Sequence, residues 1–159
     1  KNELRNYPVV GHLYLFEYIA KGRKKIPYYD SFPLVYVVKA NRGEFWGANL
    51  HYLSPKRRVW CIKRLMDGRL DIPRNCFHKY LNSAIDGYLL DLASDEWATA
   101  ILLPVENFVR NVKGKAGRMS YTKEMVWEET ATGAYDRIRD KRIIHGYGSS
   151  SSREMAKGS

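Results

Sequence analysis

Catalysis in this chain of 159 residues would require a base or nucleophile held by a partner, and the residues able to serve are His12, His51, His78, Asp30, Cys61 and Cys76. His51 stands shortly before Arg57 and Arg58. In that order a histidine can act as general base while an arginine holds a phosphate, which is the chemistry of a small basic-barrel nuclease. The competing expectation is a strand-end histidine that packs or hydrogen-bonds, and it is the one favoured here. Cys76-x-His78, taken with Cys61 and His51, has the side-chain types of a zinc site. It has no CxxC pair and no familiar finger spacing, so no metal is expected. The patterns GxxxxGK[ST], GxGxxG and GxSxG do not occur, and no cofactor is expected. Two cysteines are too few for a disulfide framework and are expected to be reduced and partly buried. The chain therefore reads as non-enzymatic.

The second chemistry is that of cations. Lys and Arg number 27 against 17 Asp and Glu, and the net charge of +10 favours a polyanionic partner such as nucleic acid, an acidic protein surface or anionic lipid. The charge is segregated. Residues 54–80 hold eight basic and two acidic side chains, 110–127 hold five and one, and 81–109 hold five acids and no base. At helical spacing Lys56, Arg57, Lys63 and Arg64 share one face with Trp60, so the cations can meet phosphates while the indole lies over a sugar or base. The alternative is a solvated helix face with Trp60 tucked against a strand. The run KGRKK at 21–25, with Arg23, Lys24 and Lys25, can grip a backbone or guard a sheet edge against pairing. Arg137, Arg139, Lys141 and Arg142 alternate with Asp136 and Asp140 and read as a self-neutralising helix turn.

The elements that must carry these residues follow from local chemistry. The run GHLYLFEY at 11–18 predicts a strand. Pro27 and Pro33 exclude a helix interior, and a second strand follows Pro33. Asn41-Arg42-Gly43 supplies a turn, so 34–53 reads as a hairpin with Gly47 as a bulge. Ser54-Pro55 starts a helix over 55–67 and Gly68 stops it. Val59, Cys61, Ile62, Leu65 and Met66 form its apolar sector, with Arg58 intruding. Residues 75–85 are expected to be a second helix; Ser94-Asp95-Glu96-Trp97 then gives helix-start signals, but 98–103 is expected to be a buried strand, ended by Pro104, that rejoins the sheet.

From about residue 111 the glycines, alternating charges and serine run predict a weakly packed arm, with Tyr121, Trp127 and Tyr135 as its docking anchors. The expected organisation is an α+β domain over 1–110 and an extended C-terminal arm over 111–159. The domain is expected to hold a small curled antiparallel sheet, an SH3-like partial barrel, with flanking helices. No run of about 18 apolar residues and no secretory h-region in KNELRNYPVV is present, so a soluble intracellular protein without a membrane partner is expected.

Three stretches, IPYYDSFPLV at 26–35, GANLHYLSPKRR at 47–58 and EWATAILLPVENF at 96–108, resemble small virion-associated proteins of contractile-tailed, T-even-like phages, of the DNA-end-protector kind. The sequence departs from that pattern at Ala48, where a larger apolar residue is expected, and in the glycine-rich tail. The resemblance implies a structural protein of a tailed-phage particle, made in the host cytoplasm, in the neck, tail or baseplate region. Its partners would be neighbouring subunits in an oligomeric assembly and double-stranded DNA, whose genome end it would protect.

Overall fold

The computed structural model describes residues 2–20, 28–106, 108–111 and 118–133. Among the described residues nine strands and three α-helices run in the order β1 (Glu3–Arg5), β2 (Leu13–Tyr18), β3 (Tyr28–Tyr29), β4 (Leu34–Asn41), β5 (Glu44–Asn49), α1 (Pro55–Met66), β6 (Phe77–Leu81), β7 (Ile85–Asp91), α2 (Trp97–Ala100), β8 (Phe108–Asn111), β9 (Arg118–Tyr121) and α3 (Lys123–Thr132). Six strands form one sheet in the order β1-β7-β2-β4-β5-β6, and a smaller sheet has the order β3-β8-β9. Every pairing is antiparallel. The α+β class stands. The SH3-like part of the expectation is not supported, because among the described residues the sheet is open, with β1 and β6 at its edges.

The β4–β5 hairpin forms where turn chemistry placed it, with Gly43 at φ +80° in the loop that brings Asn41 opposite Glu44. The bulge lies on the partner strand. Val37 faces Gly47 while Lys39 faces Trp46, so the extra residue is Val38. Gly47 is needed for closeness: a Cβ there would stand 2.2 Å from Val35 Cγ1 and 2.6 Å from the Tyr36 carbonyl oxygen. Ala48 is wholly buried, paired with Tyr36 on β4 and Phe77 on β6.

The helix expected over 75–85 is a strand. The outer edge of β5 takes β6 as its partner, with Phe45 opposite Tyr80 and their rings stacked at 5.4 Å. Phe16 and Tyr18 of β2 meet Tyr80 edge-on at 5.4 and 5.0 Å, so one aromatic cluster joins three strands. Gly87, at φ +87°, then lets β7 bulge and continue against β2.

The strand expected over 98–103 is likewise absent. The Ser94-Asp95-Glu96 signals prevail in a 3-10 turn that leads into α2, and Trp97 Nε1 donates to the Leu92 carbonyl at 2.9 Å. Ile101 is buried whereas Leu102 and Leu103 are exposed, and the strand proper begins only at Phe108 in the smaller sheet.

Part of the expected arm is packed structure. Thr122 caps α3 by accepting from the Met125 amide at 3.2 Å, and Gly133 at φ +74° ends it. Val126 is fully buried in the core shared with both sheets, and Thr130 accepts from Asn75 Nδ2 at 2.6 Å. This helix is amphipathic only in part, so its docking depends on a few well-placed contacts. Tyr135 and the charged stretch 137–142 lie outside the described residues.

Candidate nucleic-acid interface

Pro55 at the first helical position of α1 leaves no amide wanting a partner there, and the Ser54 carbonyl accepts from the Arg57 and Arg58 amides at 3.0 Å each. Cys61, Ile62 and Leu65 turn inward, as the apolar sector predicts, while Met66 is exposed and Val59 half-buried. Burial pushes the Cys61 thiol up to about 12 against the pull of Arg64 and Arg57. Cys61 and Cys76 are both buried and are not joined in a disulfide.

Arg58, the misfit in the apolar sector, is the residue that locks the helix down. It is 1% exposed, and its Nε donates to the Leu53 carbonyl at 2.8 Å and the Leu50 carbonyl at 3.2 Å. Nη1 donates to the Ile101 carbonyl at 2.9 Å, and the guanidinium lies 5.2 Å from the centre of the Trp127 ring. Burial lowers its pKa to about 10, partly offset by the charge of Asp30.

Beneath this anchor lies a buried polar network. Asp30 Oδ2 accepts from Asn49 Nδ2 at 2.9 Å and sits 2.8 Å from His51 Nδ1, while Oδ1 accepts from the Phe32 amide at 2.9 Å. Asn49 Oδ1 in turn accepts from the amides of Leu34 at 3.2 Å and His51 at 3.0 Å. Burial alone would raise the Asp30 pKa, but the adjacent His51 and these hydrogen bonds outweigh it and hold the carboxyl below its ordinary value. The PYYD and NLHYL stretches thus hold the strand ends under α1. His51 is the satisfied strand-end histidine of the plainer sequence reading, 6% exposed and turned to Asp30.

The outer face of α1 carries the sequence-predicted residues. Lys56, Arg57 and Lys63 are exposed and make no ion pair among the described residues. Trp60 is 38% exposed, with the guanidinium carbons of Arg57 and Arg64 at 5.6 and 4.9 Å from its ring centre. Arg64 differs from the other cations. Its Nη2 is bonded to Asp71, which also pairs with Arg69 at 3.1 Å, and the hydrogen bond from Arg64 lowers the Asp71 pKa. Arg23, Lys24 and Lys25 lie outside the described residues.

A second polar cluster went unseen in the sequence. Asp91 Oδ2 accepts from Arg5 Nε at 2.5 Å and sits 2.8 Å from His12 Nδ1, in an open cleft that Gly11 and Trp97 also line. Only the β1–β7 pairing brings Arg5 to Asp91, and no local spacing signals it. Among the described residues no group of three or more His, Cys, Asp or Glu is placed to hold a metal ion, and no helix is long and apolar enough to cross a membrane.

A helix anchored by a buried arginine and bearing exposed outward cations lies within a segment that is similar to a phage protein family. Residues 1–71 match the family model described as phage T4 terminal DNA protecting protein. The DNA-end-protector resemblance of residues 26–35 and 47–58 is borne out over that segment, and the stretch 96–108 falls beyond it. No curated protein and no solved structure matches the chain.

Proposed function

We propose that this chain is a non-enzymatic component of a tailed-phage particle that binds double-stranded DNA near its end through the outer face of α1. The observation that carries the reading is the set of exposed cations Lys56, Arg57 and Lys63, which make no ion pair among the described residues, on one rigidly anchored helix within the segment matched by the terminal DNA protecting family. Arg23, Lys24 and Lys25 extend the phosphate grip, and neighbouring subunits of the neck, tail or baseplate region hold the protein in place. Such a role needs charge and position and no reacting group. A nuclease built on His51 has less support, since a buried imidazole tied to Asp30 is not presented to a phosphodiester.

The test is affinity for a short duplex as a function of salt. Each phosphate neutralised contributes a slope of roughly 0.9 in log affinity against log salt, so replacing Lys56, Arg57 and Lys63 by Ala reduces the slope by roughly 2.7. Arg64→Ala combined with Asp71→Ala removes a pair that is already neutral and leaves the slope unchanged. Absence of binding at low salt would end the DNA reading and leave the face to an acidic partner subunit.

A further inference from the structure

We propose that Trp60 recognises the DNA end itself: the terminal base pair stacks on the indole face beside Arg57, and Arg57 turns to the terminal phosphate. The proposal rests on the reading that α1 binds DNA, and it adds what distinguishes an end from the interior of a duplex. Interior bases are covered above and below by their neighbours, so a protein meets only their edges and the backbone. A terminal pair exposes a whole aromatic face, which an indole can cover whatever the base.

The two cations at Trp60 are not equivalent. Arg64 is fixed by Asp71, and its side chain is only 22% exposed, so it is held at the ring. Arg57 is exposed and makes no ion pair among the described residues, so only a weak cation–π contact holds it over the ring. Moving it costs little, and its charge then serves the phosphate at the same terminus. Lys56 lies four residues before Trp60 and Lys63 three after, so both share its helical face and flank the ring over about 10 Å of helix axis. An apolar plate between cations fits a duplex end, with bases at the centre and phosphates at the rim.

The experiment compares a blunt duplex with the same sequence closed by hairpin loops at both ends, for the 159-residue chain and its variants. Trp60→Ala is expected to weaken blunt-duplex binding by about ten-fold and closed-duplex binding by less than about two-fold, and Trp60→Phe to retain most of the preference for ends. Thermal unfolding of each variant confirms that the fold is kept, and the Phe variant preserves the test if the Ala variant does not fold. Equal weakening on both duplexes, or none on either, overturns the proposal. The reading beneath it is checked separately by the Lys56, Arg57 and Lys63 triple Ala variant, which should weaken both duplexes. If that variant leaves both unchanged, α1 is not the DNA surface and the role of Trp60 falls with it.

Discussion

Trp127 of α3 donates its indole N–H to the backbone carbonyl of His51 at 2.9 Å, joining a helix late in the chain to the buried turn that precedes α1. The face of the same ring lies against the Arg58 guanidinium, and Tyr28 Oη donates to Glu129 Oε2, two residues further along α3, at 2.8 Å. Helix α3 therefore closes over the anchor of the proposed interface. Replacing Trp127 by Ala removes ring packing, a hydrogen bond and a cation–π contact, with an expected loss of about 2 kcal/mol in urea unfolding. Trp127→Phe keeps the ring and should lose about 1 kcal/mol. No change in either variant would mean that α3 does not unfold with the body.

Adjacent arginines on α1 should behave oppositely. Arg58→Ala leaves the carbonyls of Leu53 and Ile101 without the donor it supplied and that of Leu50 with the Leu53 amide alone, and is expected to cost about 3 kcal/mol of stability. Arg57→Ala, on the solvent side, should change stability by less than about 0.5 kcal/mol while weakening DNA binding. Chemical denaturation of the two variants, run beside duplex titrations, checks both halves.

Acid should loosen the strand ends under α1 through Asp30. Its folded pKa lies below the ordinary value of 3.8, so the stability it contributes is present above that value and is lost as pH falls through the lower folded one. Asp30→Asn is expected to be less stable at neutral pH, because the carboxylate held between Asn49 and His51 is gone, and to show a flatter decline below about pH 4. Melting temperatures of both proteins across that range give the comparison. An unchanged acid limb in the variant would show that other carboxylates set it.

The elements legible in advance were those whose signals lie within a few residues. Arg42-Gly43 supports a tight loop between two β-rich runs, and Ser54-Pro55 starts α1 while Gly68, at φ +76°, follows its end. The outward placement of Lys56, Arg57 and Lys63 follows from helical period alone. Residues 77–81 illustrate the limit. Taken alone they accept helix or strand, and the open edge of β5 together with the Phe45 ring decides for strand.

What the sequence by itself determined is the basic, segregated charge, the hairpin, α1 and its solvent face, and the family resemblance of the first part of the chain. Tertiary structure alone decided which carbonyls hold the buried Arg58, that Arg64 is neutralised by Asp71, that Arg5 meets Asp91, and that α3 packs on the body. The reason is physical. Turn geometry and helical period depend on neighbouring residues, whereas strand pairing and the satisfaction of a buried charge depend on partners that only the folded chain brings within reach.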